Sequence, residues 1–182
     1  MDDSFDSSLE FTLAEEGGFV DRPDDPRFAT NHGITLVRLR RFLRDPGLNQ
    51  DDIRHVTCTT VRALYLADFW NRCRCDALPG GIDLMVFDHG VNAGPDRAGR
   101  ALQLAVGNKR EDIDGAIGPD TLGRVELADT LTLLDALAAM QRTGYRQMAA
   151  FGLFGEGWLA RLERRRTAAL ELMALAEPVS RR

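Results

Sequence analysis

The chain has 182 residues, 44% hydrophobic and 28% charged, with 28 acids against 23 bases and a net charge of −5. That length suits one domain, or one domain with a small attached subdomain, and the composition excludes collagen-like, low-complexity and wholly disordered classes. No apolar run approaches the ~20 residues of a spanning helix, so no stable membrane insertion is expected, and an acidic balance argues against general nucleic-acid binding.

Ser7-x-x-Glu10 has the pattern of a capping box, which predicts a helix over about 9–16 with residues 1–7 as a flexible end. Leu9, Leu13 and either Phe11 or Thr12 form its inward stripe. Gly17-Gly18 ends it. Glu16 is left in the last turn, where the helix dipole disfavours a carboxylate. Residues 19–35, with Pro23, Pro26 and Gly33, read as loop or a small hairpin. A helix is predicted over 36–43, stopped by Pro46-Gly47. Thr59 or Thr60 caps the next, in which Val61, Leu64, Tyr65 and Phe69 recur at helical spacing.

After the break at Leu78-Pro79-Gly80-Gly81 come an apolar helix over 82–91 and another over 96–106. Pro119 opens a helix carrying Leu122, Val125 and Leu127. Two longer helices are predicted over 129–150 and 157–176, separated by the glycine-rich 152–157, with 178–182 as a second flexible end. Strand signal is scarce. The expected class is mainly α, with at most a small β-hairpin near 19–35.

Arg161, Arg164, Arg165, Arg166, Arg181 and Arg182 make the last third locally basic. Such a cluster reads as a solvated helix face, or as one that sits against an anionic surface. Three cysteines, Cys58, Cys73 and Cys75, make a poor disulfide framework. With His55 they only loosely match a zinc site, so small half-buried thiols are the preferred reading and no metal is expected. Asp114-Gly115 lacks the oxygen ligands of a calcium loop.

The informative chemistry lies at 15–35. A glutamate on a rigid helix end faces a loop with Asp21, Asp24, Asp25 and Thr30. Glycoside hydrolysis needs a proton donor at the leaving oxygen and, in many enzymes, a second carboxylate. Asp88 and Asn92 lie one turn apart on an apolar helix, either as a buried polar pair or as a cleft floor. Trp70 and Trp158 fit either the core or stacking on sugar faces.

Glu16-Gly17-Gly18-Phe19-Val20, Asp24-Asp25-Pro26 and Ala29-Thr30-Asn31-His32-Gly33-Ile34-Thr35 resemble the opening of glycoside hydrolase family 108. The likeness continues through 65–70, Leu78-Pro79-Gly80-Gly81-Ile82-Asp83, Val86-Phe87-Asp88, Asn92-Ala93-Gly94-Pro95, Ala101-Leu102-Gln103, Ile117-Gly118-Pro119 and Gly157-Trp158. It covers roughly 8–176. The resemblance implies a lysozyme-like fold, with a catalytic region over 8–91 packed as one unit with a helical, peptidoglycan-binding region over 92–177.

It further implies an N-acetylmuramidase that needs no cofactor and acts on bacterial peptidoglycan. Glu16 maps onto the family's catalytic acid. Asp25 and Thr30 are the expected catalytic partners, with Asp24, Thr35, Asp88 and Asn92 expected at the substrate. Two departures stand out. Glu15 replaces the family's histidine, and Arg27-Phe28 replaces two glycines of its loop. A non-catalytic wall-binding or phage-like particle protein on the same fold is the alternative. The acidic start carries neither the basic stretch nor the apolar core of a secretory signal. Synthesis in the cytoplasm is therefore expected, with access to the periplasmic wall through a holin or on a phage-like particle.

Overall fold

The structure, a computed structural model, describes residues 2–20 and 29–176. Among them are nine α-helices and one two-stranded sheet, so the chain is mainly α, as the sequence predicts. Helix α1, Asp2–Glu16, starts well before residue 9. Ser7 therefore lies inside the helix rather than at its N-cap, and residues 2–7 are its first turns rather than a flexible end. Its early start follows from Phe5, which is buried in an aromatic cluster, 5.1 Å from the Trp70 ring and 5.9 Å from Phe87.

Strands β1, Thr30–Asn31, and β2, Ile34–Thr35, form the expected hairpin, with Thr30 opposite Thr35. Its turn is His32-Gly33, both at positive φ (50° and 70°), the twist that two-residue hairpin turns favour. Thr35 also caps α2, Leu36–Leu43, accepting from the Arg38 N–H. A short helix α3, Gln50–Arg54, opens with an Asn49–Asp52 capping box that the sequence reading did not include. In α4, Cys58–Tyr65, the cap is Thr57, which accepts from the Thr60 N–H; Thr59 and Thr60 are already helical. A π-helical turn, Leu66–Trp70, follows and buries Phe69 and Trp70.

Helix α5, Ile82–Ala93, is buried over its first nine residues. It packs against α1, α6 (Pro95–Ala105), α8 (Thr130–Arg146) and α9 (Phe151–Ala176). Helix α7, Pro119–Leu127, begins at its proline as predicted. Helix α9 does not begin at 157. It starts at Phe151 and runs straight through Gly152, Gly155 and Gly157. Gly155 gives room for a ring: a Cβ there would lie 2.6 Å from the Phe151 side chain.

Candidate active site at the end of the first helix

Ser8, Thr12 and Glu16 follow one another at four-residue spacing, so they share one face of α1. Ser8 and Thr12 are fully buried, which settles the inward choice for Thr12 over Phe11. Gly17, at φ 72°, ends the helix in the left-handed region and leaves Glu16 as its last residue. Glu16 Oε1 accepts 2.7 Å from Arg161 Nη1 on α9. Its Oε2 lies against the hairpin turn. A Cβ on Gly33 would come within 2.5 Å of Oε2 and 2.9 Å of the Tyr65 hydroxyl. That hydroxyl donates to the His32 carbonyl at 2.6 Å, tying the turn to α4. Burial first, then the charge on Glu16, pushes the Tyr65 phenol well above its ordinary value. Asn31 fixes the other side of the hairpin by donating to the Ile53 and Arg54 carbonyls of α3.

Behind Glu16 lies a buried ion network across α1, α5 and α9. Asp88 accepts from the Thr12 hydroxyl (3.0 Å), from Arg161 Nε (3.1 Å) and Nη2 (2.6 Å), and from Arg165 Nη1 (3.1 Å). Arg165 also reaches the Tyr145 hydroxyl at 3.3 Å, which receives Asn92 Nδ2 at 2.9 Å and faces His89 Nδ1 at 3.0 Å. Burial alone would lower the pKa of Arg161, but the hydrogen bonds and charges of Asp88 and Glu16 outweigh it and raise it. Arg161 is thus a fixed cation that couples Glu16 to the core.

Arg161 and Arg165 correct the solvated-face reading of the basic cluster. Arg165 is fully buried and Arg161 nearly so. Arg164 and Arg166 do lie outward, paired with Glu15 and Asp135. Hydrogen bonding to Arg164 holds the Glu15 carboxyl below its usual range. Two signals pointed to the buried arginines. Their i, i+4 spacing shares a face with Leu162 and Ala169, and Asp88 on an apolar helix required a cation.

Thr30 and Thr35 stand side by side in the hairpin, though the Thr35 hydroxyl is engaged as the α2 cap. Asp88 and Asn92 do not pair with each other; Arg165 and Tyr145 join them. Asp21, Asp24, Asp25, Arg27 and Phe28 lie outside the described residues. Val20 and Thr30, on either side of them, bridge through two backbone hydrogen bonds of 2.8 and 3.0 Å. Cys73 and Cys75 are buried and Cys58 is exposed. Among the described residues, no group of three or more His, Cys, Asp or Glu is placed to hold a metal ion.

The family model described as Glycosyl hydrolase 108 matches residues 9–94. That span contains the second half of α1, the hairpin and α5; Arg161 and Arg165 come from beyond it. The chain is also similar to the solved structure of Brucella abortus SagA, with 32% sequence identity and a TM-score of 0.83 over 95% of this chain and 97% of that one. No curated protein matches the chain.

Proposed function

The chain belongs to the glycosyl hydrolase 108 family, and from that premise we propose that it is an N-acetylmuramidase of bacterial peptidoglycan. It cuts the β-1,4 bond between N-acetylmuramic acid and N-acetylglucosamine. Glu16 protonates the glycosidic oxygen as the C–O bond breaks and positive charge develops on the sugar ring. Asp25, with Thr30, places the attacking water or steadies that charge. An inverting outcome would require the two carboxyls to stand ~6.5–9.5 Å apart with a water between them. A holin or a phage-like particle gives the route to the wall.

The observation that supports this reading is the setting of Glu16. It is the last residue of a helix, it is anchored through one oxygen by Arg161, and its other oxygen lies at a hairpin turn whose glycine has no room for a side chain. A carboxyl held at a defined point beside a loop is what a general acid requires. Digestion of purified peptidoglycan tests the proposal. New reducing ends on N-acetylmuramic acid are expected. Reducing N-acetylglucosamine, cut amide bonds or anhydro-muramic ends would reject it.

A further inference from the structure

Helices α5, α6 and α8, with the segment 147–150 that joins α8 to α9, frame a cavity of about 640 Å³, a volume usual for small-molecule sites. Ala93, Ala101, Leu104, Met140 and Met148 supply its apolar wall. The two methionines are half-buried, and thioether side chains adapt to irregular shapes. Gly144 stands in the same wall. A Cβ there would meet nothing within 4 Å, so α8 carries a glycine where packing does not ask for one, at a cost of about 1 kcal/mol relative to alanine.

The charge of this wall is one-sided. The chain is acidic overall, yet among the described residues that line the cavity none is Asp or Glu, and two are Arg97 and Arg100. Arg100 is engaged by Asp96 and by the Ile113 and Asp114 carbonyls. Arg97 donates to the Ala93 carbonyl at 3.1 Å and has no carboxylate partner among the described residues. Ala93 stands one turn beyond His89 on α5, and His89, though buried, forms part of the same wall. The Tyr145 oxygen accepts from Asn92 at 2.9 Å and from Arg165 at 3.3 Å, so its own proton goes to His89 Nδ1, 3.0 Å away. A neutral imidazole carries one hydrogen, which is thereby left on Nε2, and Nε2 has no hydrogen-bond partner among the described residues. Burial, and after it the charges of Arg165, Arg97 and Arg161, keep His89 neutral. The same positive field favours an anion beside it.

We propose that this cavity binds an aliphatic carboxylate, with the acid group between Arg97 and the His89 Nε2–H and the apolar body against Leu104, Met140 and Met148. Its chemistry selects the ligand. An amine would meet two arginines and no acid, and the many hydroxyls of a sugar would face an apolar wall. The inference stands apart from the hydrolytic reading, since it uses neither Glu16 nor peptidoglycan.

The test uses the full chain and anilinonaphthalene sulfonate, an apolar anion whose fluorescence rises when it leaves water, with decanoate and decylamine as competitors. One probe per chain is expected, displaced by decanoate and not by decylamine. Arg97→Ala should weaken decanoate binding about tenfold, through loss of a charge-assisted contact. Gly144→Leu should fill the cavity and abolish binding, while the melting temperature stays level or rises. Arg97 is exposed, so Arg97→Ala carries the test alone if Gly144→Leu melts early.

No bound probe, equal displacement by the amine, or parental affinity in either folded variant overturns the proposal. So does displacement of the probe by soluble peptidoglycan fragments at lower concentration than decanoate, which would assign the cavity to wall binding. So does a dimer that the probe converts to monomer, since the cavity would then face a second copy.

Discussion

Glu16 is held through one oxygen and, in the proposed reaction, works through its proton, so substitution can separate position from acidity. Glu16→Gln keeps an oxygen for Arg161 and keeps the size that fits against Gly33. Clearing of permeabilised Gram-negative cells should fall ~100- to 10,000-fold with little change in melting temperature; a parental rate would dismiss Glu16 as the acid. Gly33→Ala attacks position instead. Its φ of 70° strains any side chain, and the new Cβ meets both Glu16 Oε2 and the Tyr65 hydroxyl. It should cost about 1–2 kcal/mol of stability and a larger share of activity, measured by denaturant melts beside clearing rates. Arg161→Ala removes the two-pronged contact on buried Asp88. Breaking a buried pair from one side costs about 3–5 kcal/mol, with Arg165 left to hold the smaller end of that range. Arg161→Lys restores charge without the planar fork, so it should recover stability better than activity. If it recovers both, Arg161 does not position Glu16. Glu16 was legible in the sequence because helix end, glycines and family motif coincide there. Arg161 was only faintly legible, through its i, i+4 spacing with Arg165, because a run of arginines otherwise reads the same whether solvated or buried. Asp88 announced that some cation was needed, but its partner lies 73 residues away.

At the scale of elements, periodicity identified the helices other than the five-residue α3, and tertiary contacts set their ends. Helix α5 and the hairpin fell where predicted because a continuous apolar run and a glycine turn allow few alternatives. The early start of α1 depends on Phe5 meeting Trp70 and Phe87, contacts no local pattern contains. The start of α9 is the reverse case. Three glycines in its first seven residues read as a break, yet the chain is helical, with the Leu153 and Phe154 N–H groups both bonded to the Ala150 carbonyl. The glycines should therefore differ in what they tolerate. Gly152→Ala meets open space and should stabilise the chain by about 0.5–1 kcal/mol. Gly155→Ala must displace the Phe151 ring and should destabilise it. Equal effects at the two positions, measured by chemical denaturation, would mean that this turn is not helical in solution.

Across the whole molecule, α5 is where distant parts of the chain are tied together. Asp88 binds α1 through the Thr12 hydroxyl and α9 through two arginines, while His89, next along, turns toward α8. Burial pushes the His89 imidazole well below its ordinary pKa, and Arg165, Arg97 and Arg161 push it further the same way. The folded state therefore holds His89 neutral, with the Tyr145 hydroxyl 3.0 Å from Nδ1. The unfolded chain takes up a proton on this residue near pH ~6.5, and the folded chain does not. Protons bound in the unfolded state exceed those in the folded state, so stability is present above that pH and is lost below it, by up to about 1.4 kcal/mol per pH unit. Glu15 acts in a separate window. Its lowered pKa stabilises the fold above its ordinary value of 4.5, and that contribution is lost further into acid. Asp83 works in the opposite sense, since burial raises its pKa and protonation favours the folded state. The difference between two chains is thus the clean measure of His89. From about pH 8 down to about pH 5.5, the parental chain should lose stability relative to His89→Gln, which keeps a polar group for Tyr145 but cannot take up the proton. Parallel stability profiles for the two chains across that range would mean that His89 is protonated in the folded state, against the three arginines around it.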